Sequence, residues 1–502
     1  MGSEKDWRTQ HMDQSLAHMD NVETAPLLAP DGGGYMGTAG TSQPQPQRPQ
    51  GTASFDQLAQ FAALHAPQSA PKPPTPHLAI PPRPTTVAET GLDLVLLEEL
   101  ALKHIVAAGV MSGAELAEHM CLTLPGVVEE AISILRRDGL VDYHNVSGGP
   151  HGNAGMRLRA TDRGTQVEAR ARENNGYVGP APVKFSAYVQ MLRQQAASGR
   201  GISRTDVWRK TAHLVLADET IDSLGAGLES GGPLLIHGEP GNGKSAVASS
   251  LARMIRAGVL VPHAVQVDNH ILRVFDPSIH KPLQLDPSFS GLKMDERWVY
   301  CQAPFVRAGA ELRLEDLGLR FNQEYRYYDS PIQLKAAGGV LLLDDFGSNG
   351  EPVEGLLYRC LEPVATGIDR LTTLTGRSLP VPFTSLLVIA TAHSPGELLN
   401  EGLLRRFPCK VHIPGPTEEQ YRELFRRACE EAGVEFAPSG IDYVIERCYA
   451  QAGHVPRCGH PVQLVELICG AARYFGIQAQ LVPQLIDVAS DMYFGRVEGN
   501  RA

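Results

Sequence analysis

The chain has 502 residues, of which 43% are hydrophobic, and this length and composition suit two or three ordinary packed domains. Its formal charge of −11 argues against a protein that coats nucleic acid nonspecifically, although one local basic surface is compatible with it. The eight cysteines are scattered without a C-x-x-C pair, which favours reduced thiols over a disulfide framework or a zinc site.

Residues 1–86 are rich in Pro, Gln, Gly, Ala and Ser. We predict a disordered tail, because such a segment buries too little apolar surface to offset its chain entropy. An amphipathic stretch within it, residues 55–61, is interpreted as a transient helix, with a docking motif as the alternative. The first residues lack the apolar core of a signal peptide, and no apolar run reaches the roughly 18 residues that span a bilayer. We therefore expect a cytoplasmic protein without a membrane span.

Residues 87–180 predict a winged helix-turn-helix domain. The predicted elements are helices at 92–109, from 112 and at 125–138, strands at 140–144 and 156–160 with a Gly-rich turn at 147–155 between them, and a helix at 163–174. Three helices followed by a strand, a turn and a second strand is the order of this motif.

The charge of the predicted winged-helix domain bears on whether it binds DNA or a protein. Residues 91–175 hold eight Lys/Arg and twelve Asp/Glu, a net charge of −4. The would-be recognition helix carries Glu129 and Glu130, where a groove reader would have Arg, Lys, Asn or Gln. Arg157, Arg159 and Arg163 could still contact phosphates from the wing. We favour protein docking or a spacer role, with DNA binding as the alternative.

After a linker at 181–204, residues 205–415 predict an α/β domain around a phosphate-binding loop. One stretch fits G-x-x-x-x-G-K-[ST] and lies between an apolar run at 233–237 and a helical pattern at 245–257. Its members are Gly238, Glu239, Pro240, Gly241, Asn242, Gly243, Lys244 and Ser245. The glycines let backbone N–H groups surround phosphate oxygens, and the helix N-terminus adds positive charge. The lysine neutralises β- and γ-phosphates and the serine can ligate Mg²⁺, so the loop predicts bound ATP and Mg²⁺.

Two further apolar strands end in polar groups. Residues 338–345 end in Asp344, predicted to hold the hydration shell of Mg²⁺, and Asp345, predicted to polarise the attacking water. Residues 385–393 end in Thr391 and His393, either of which could sense the γ-phosphate.

An arginine pair and a helical segment complete this half of the chain. Arg405 and Arg406 could place an arginine finger in the site of a neighbouring subunit. Residues 416–502 predict a small all-α lid, opened by a capping box from Thr417 to Gln420.

This ordered set of motifs resembles the AAA+ ATPases over roughly residues 205–500. The chain further resembles a group of bacterial AAA+ proteins that pair an N-terminal winged helix with this core, and the similarity then extends from about residue 89 to near the C-terminus. The matching phrases are FDPSIH at 275–280, RWV at 297–299, YYDSP at 327–331 and LKAAGG at 334–339. The resemblance implies a parallel P-loop AAA+ sheet with an all-α lid, ATP hydrolysis, and a homo-oligomer such as a hexamer-like ring.

Three positions depart from the AAA+ pattern. Asp345 stands where most AAA+ proteins have Glu, although the resembled group itself uses Asp-Asp. His393 stands where an Asn usually senses the γ-phosphate, and Val462 stands where the lid usually supplies an Arg, unless Arg457 serves. We therefore expect intact binding of MgATP and slow hydrolysis.

Residues 276–335 lengthen the spacing between Lys244 and Asp344 beyond what one helix and one strand need. A pore or substrate loop and a packed, β-rich insertion are both compatible with this excess, and a second candidate substrate contact is a hairpin predicted at 370–382.

Three functions remain: an ATP-driven remodeller or assembler of a protein partner docked through the winged helix, which we favour; a DNA-associated ATPase; and a noncatalytic ATP-gated scaffold.

Overall fold

The computed structural model describes residues 80–144, 157–197, 202–255, 258–284, 293–345, 353–398 and 400–495. The predicted disordered tail up to residue 79, with its amphipathic stretch at 55–61, lies outside these residues, as does the Gly-rich turn at 147–155. Residues 80–86, which the prediction assigns to the tail, contact a distant part of the chain: Pro82 pairs with Met294 in a β-bridge, and Arg83 forms an ion pair of 3.2 Å with Glu296.

The first part of the described chain consists of helices against a small sheet. Its elements are α1 Val87–Thr90, α2 Leu94–Ala108, β1 Met111–Ser112, α3 Gly113–Met120, α4 Glu129–Arg137, β2 Val141–His144, β3 Arg157–Ala160 and α5 Asp162–Asn174. The strands form an antiparallel sheet in the order β1-β3-β2. The helix predicted at 125–138 becomes regular only at Glu129, because Gly126 has a φ of +81° and kinks the preceding turn. We call this part the N-terminal domain.

The middle of the chain contributes strands both to a parallel sheet and to several sheets that contain antiparallel pairs. Its elements are β4 Val183–Lys184, α6 Phe185–Ala197, α7 Arg204–Thr211, α8 Asp218–Ser230, β5 Leu234–His237, α9 Lys244–Met254, β6 Val259–Pro262, β7 Ala264–Val267, β8 His270–Arg273, β9 Trp298–Cys301, β10 Phe305–Ala308, β11 Arg320–Asn322, β12 Tyr327–Asp329, α10 Ile332–Lys335, β13 Val340–Asp344, α11 Val353–Thr366, β14 Ile368–Thr372, β15 Ser378–Pro382, β16 Leu386–Thr391, α12 Pro395–Leu398, α13 Glu401–Leu404 and β17 Cys409–His412.

A parallel five-stranded sheet, in the order β10-β13-β16-β5-β17, is the centre of the fold. Every residue of β13 and β16 is buried, as expected for parallel strands covered on both faces. Because all five strands run in one direction, their carboxyl ends meet at one edge. This sheet and the helices that cover it confirm the predicted α/β fold class.

The lengthened segment is largely β structure. Strands β11-β12-β8-β7-β4 form a second five-stranded sheet, β6 pairs with β9, and β14 pairs with β15 in the hairpin predicted at 370–382. These strands and α6 share one apolar cluster that includes Tyr188, Trp298, Tyr328 and Leu379. We call this the β module. Within the described residues, the excess at 276–335 is therefore a packed insertion, and it also supplies β10, an edge strand of the central sheet.

The last part is a small helical lid. Its helices are α14 Glu418–Ala432, α15 Pro438–Val444, α16 His460–Phe475 and α17 Pro483–Phe494, with a wide turn at Ile445–Gln451. The predicted capping box is present: Thr417 accepts from the Gln420 N–H, and the Gln420 side chain accepts from the Thr417 N–H. Within the described residues, no helix has both the length and the apolar composition needed to cross a membrane.

Candidate functional site

The loop between β5 and α9 has the backbone that its glycines require. Gly241 and Gly243 both have a φ of +82°, where a side chain would be strained. At Gly238 the reason is close approach, since a Cβ there would lie 2.3 Å from the carbonyl oxygen of Ile413. The Lys244 ammonium donates to the carbonyl oxygens of Gly238 at 2.9 Å and Glu239 at 3.0 Å. The lysine is therefore already positioned inside the loop.

Ser245 and Asp344, predicted as magnesium ligands, are in contact. The Ser245 hydroxyl donates to Oδ2 of Asp344 at 2.7 Å, which joins the start of α9 to the end of β13. The other oxygen, Oδ1, is buried and has no hydrogen-bond partner among the described residues. A buried carboxylate oxygen beside a hydroxyl fits a hard divalent cation, which prefers oxygen ligands. Within the same residues, no group of three or more His, Cys, Asp and Glu forms a further metal site.

Asp345 leaves the strand in an unusual conformation. Its φ is +47°, a region that few residues other than Gly, Asn and Asp adopt, and its side chain is exposed. Burial lowers the pKa of Lys244, while the nearby carboxylates of Asp345 and Asp344 oppose that shift. Both aspartates therefore lie close enough to the loop lysine to favour its charged form.

Thr391 and His393 differ in their surroundings. Thr391 is buried at the end of β16, one residue beyond Ala390, which pairs with Asp344. Its hydroxyl oxygen accepts from the His393 N–H at 3.1 Å, so part of its role is to hold this turn. The His393 side chain is exposed. The sheet brings Thr391 to the same edge as Asp344, whereas no contact ties His393 to the loop in the described chain.

Arg405 and Arg406 lie on an exposed turn after α13. Arg405 pairs with Glu401 one helical turn earlier, and Arg406 lies 5.5 Å from the ring centre of Tyr358. Neither arginine has a contact to the phosphate-binding loop among the described interactions. An action on phosphate would therefore be on that of a neighbouring subunit.

Sequence reasoning missed Arg307. It lies on β10, whose four residues gave no recognisable strand pattern, and its guanidinium is 2.7 Å from Oδ2 of Asp344. Only the pairing of β10 with β13 brings this arginine to the site. A spacing argument along the sequence could not have found it.

The lid contacts the loop through Arg457 and Gly459. Arg457 pairs with Glu239 at 3.1 Å and donates to the Pro240 carbonyl, and the Gly459 N–H donates to the Gly241 carbonyl at 2.9 Å. Arg457 is thus placed beside the loop, whereas Val462 is exposed on the lid surface.

A pocket of about 760 Å³ opens between the loop and the lid. Its lining includes Pro240, Gly241, His454, His460 and Phe494. His454 and Phe494 stack with their ring centres 4.2 Å apart. Burial, with the neighbouring charges of Arg457 and His454, lowers the pKa of His460 to about 4. The pocket therefore offers aromatic walls beside a polar loop, which suits a ligand with a flat base and a charged tail.

Comparisons with known proteins match this arrangement in part. Residues 417–492, the lid, match a family described as a domain of unknown function (DUF8689). No curated protein matches the sequence. Similar solved structures include the RuvB Holliday junction branch migration motor of Thermotoga maritima, with a TM-score of 0.34 and 14% identity over 58% of this chain and 76% of that one. NtrX from Brucella abortus, solved in complex with ADP, has a TM-score of 0.34 and 16% identity over 58% of this chain and 59% of that one. Likenesses this remote bear on neither activity nor partners.

Proposed function

From the parallel sheet, and from the loop and Asp344 at the edge where its strands end, we propose that this chain is an AAA+ ATPase that binds MgATP through residues 238–245 and Asp344. The observation that carries the proposal is the contact of Ser245 with Asp344, next to a buried Lys244 whose ammonium faces the loop. These three side chains come from two distant segments of the sequence and meet where the strands end. When bound, magnesium would neutralise phosphate charge there, held by Ser245 and Asp344.

Hydrolysis is the second part of the proposal. Asp345 is exposed next to the loop and would orient the attacking water, with Thr391 sensing the γ-phosphate from the end of β16. His393 is the alternative sensor. Arg405 or Arg406 would act in a neighbouring subunit of a homo-oligomer, because both are exposed and, among the described residues, neither contacts the phosphate-binding loop.

The biological role proposed is remodelling or assembly of a protein partner. The N-terminal domain, which we interpret as a winged helix, would dock that partner. A buried arginine supports a firm mechanical link: Arg297 pairs with Asp295 at 2.8 Å and donates to the carbonyl oxygens of Thr90 at 2.9 Å and Pro182 at 3.1 Å. These contacts join the β module to the N-terminal domain, which would allow motion of one to reach the other.

DNA binding is the second candidate, and the contacts around the predicted recognition helix and wing disfavour it. The recognition helix of such domains reads bases with its N-terminal residues. Here the turn that leads into that helix contacts the segment before α1: the Thr123 hydroxyl donates to the Pro84 carbonyl at 2.8 Å, and a Cβ at Gly126 would lie 2.3 Å from the Thr85 carbonyl oxygen. Arg157 of the proposed wing already pairs with Glu115, at 3.7 Å.

Two experiments test these proposals. Titration of the full chain with ADP and ATP, with and without magnesium, should show binding that magnesium strengthens; no binding under either condition would refute the nucleotide site. Binding without phosphate release would favour the noncatalytic scaffold. In a gel shift with random and selected duplexes, we expect no sequence-selective complex at physiological salt. Nanomolar selective binding that falls steeply with salt would instead support the DNA-associated ATPase.

A further inference from the structure

Arg307 forms an ion pair with the proposed magnesium ligand. Its guanidinium lies 2.7 Å from Oδ2 of Asp344, the same oxygen that accepts the Ser245 hydroxyl. The Asp344 side chain is 2% exposed, whereas that of Arg307 is 60% exposed. A buried acid at the edge of the central sheet is thus neutralised from the solvent side by a cation on the neighbouring strand.

The negative charge of a buried carboxylate such as Asp344 has to be compensated. A carboxylate removed from water is costly unless a cation or several donors compensate it. Asp344 has one hydroxyl donor and the Arg307 guanidinium on Oδ2, and no partner on Oδ1 within the described residues. Arg307 is therefore its closest compensating charge, and magnesium would be the second cation to use this carboxylate.

A second carboxylate lies near Arg307. Glu311 follows it in the chain and accepts the Gly309 N–H at 2.9 Å. That hydrogen bond is the main reason why the pKa of Glu311 is lowered, and the charge of Arg307 contributes as well. Because the Arg307 side chain is already 60% exposed, it can leave Asp344 with little further exposure, and a second carboxylate, Glu311, is nearby.

We propose that Arg307 is a place-holding cation: it neutralises Asp344 from Oδ2 until magnesium and nucleotide arrive, and magnesium, to which the unpartnered Oδ1 is open, must compete with Arg307 for the charge of that carboxylate. This inference rests on the MgATP site proposed above and adds a competition to it. The magnesium requirement for nucleotide binding is then set partly by a residue that contacts neither nucleotide nor metal. Arg307 is in this sense a positioning residue for Asp344.

The test measures how much magnesium nucleotide binding needs. ADP is titrated into the full chain over a series of free magnesium concentrations, for the wild type and for Arg307→Gln, which removes the charge but keeps the polar side chain. An ion pair that is half open to water has a modest strength, so we expect the half-saturating magnesium concentration to fall by about fivefold in the variant. Arg307→Lys keeps the charge and should stay near the wild-type value.

The matched control is Arg313→Gln. Arg313 follows the same strand and forms an exposed ion pair with Glu315 at 3.6 Å, so its loss removes an equal charge without touching Asp344. It should leave the magnesium requirement unchanged. Equal shifts in both variants would mean a general effect of net charge and would overturn the inference.

Other outcomes separate this inference from the proposed function. A wild type that binds ADP, with an unchanged magnesium requirement in Arg307→Gln, would overturn the inference alone, even if the variant melted at a lower temperature. Weaker ADP binding at saturating magnesium in that variant would also overturn it, because Arg307 would then contact phosphate. A wild type that binds no nucleotide would overturn both.

Discussion

Replacing Lys244 with alanine should abolish tight nucleotide binding. The ammonium is held by the Gly238 and Glu239 carbonyls and the side chain is only 6% exposed, so little conformational freedom remains to be lost when phosphate binds. Hydrogen bonds that involve a charged group contribute about 1.5–3 kcal/mol each. Loss of the phosphate contacts should therefore cost about 3 kcal/mol, which is about a hundredfold in the dissociation constant.

Isothermal titration with MgADP measures this loss directly. The control is Lys410→Ala on β17, which removes a lysine that also donates to a backbone carbonyl, that of Phe407 at 2.6 Å, but lies in mid-strand. The control should bind as the wild type does. A Lys244→Ala variant with an affinity within about threefold of the wild type would refute the assignment of the loop as a phosphate site.

Three further predictions concern turnover, assembly and pH. Asp345→Asn should keep nucleotide affinity but slow phosphate release by about 10²–10⁴-fold, and unchanged turnover would exclude Asp345 as the group that orients water. Specific ATPase activity should rise with protein concentration if, as we propose, Arg405 or Arg406 acts across an interface; a flat profile with a monomeric mass by light scattering would contradict this. Burial holds the pKa of His460 at about 4, below the ordinary 6.5, so the unfolded chain takes up the proton first as pH falls. The stability that depends on neutral His460 should be complete above pH 6.5 and decrease towards pH 4, by about 2 kcal/mol at pH 5. Melting temperatures should show a smaller decrease for His460→Gln, and an equal decrease would count against this pKa.

The motifs that sequence reasoning could place are local. The phosphate-binding loop, the strand that ends in Asp344 and the capping box at Thr417 each depend on residues close together in the chain, so their patterns were sufficient. Arg307 could not be found in this way, because its role depends on the pairing of β10 with β13, and a four-residue strand carries too little pattern to reveal a partner.

The sequence phrases that suggested a resemblance to AAA+ proteins have a structural explanation that only the fold supplies. In FDPSIH and LKAAGG, Asp276 pairs with Lys335 at 2.8 Å, and the His280 ring lies 2.9 Å from the Lys335 carbonyl oxygen. The ring also stacks on Phe275. These residues fasten the β module to the strand that ends in Asp344. In this structure the two phrases form a joint between two sheets, and no single-sequence pattern could distinguish that joint from a binding loop.

Because Gly238 lies close to Ile413, the loop also supports the connection to the lid. Ile413 follows β17 and begins the connection to the lid, and its N–H donates to the His237 carbonyl at 2.8 Å. The first glycine of the loop therefore packs directly against the connection to the lid. A side chain at position 238 would press on that connection before it reached any phosphate. We therefore expect such a substitution to displace the lid first, while the remaining phosphate contacts can still form.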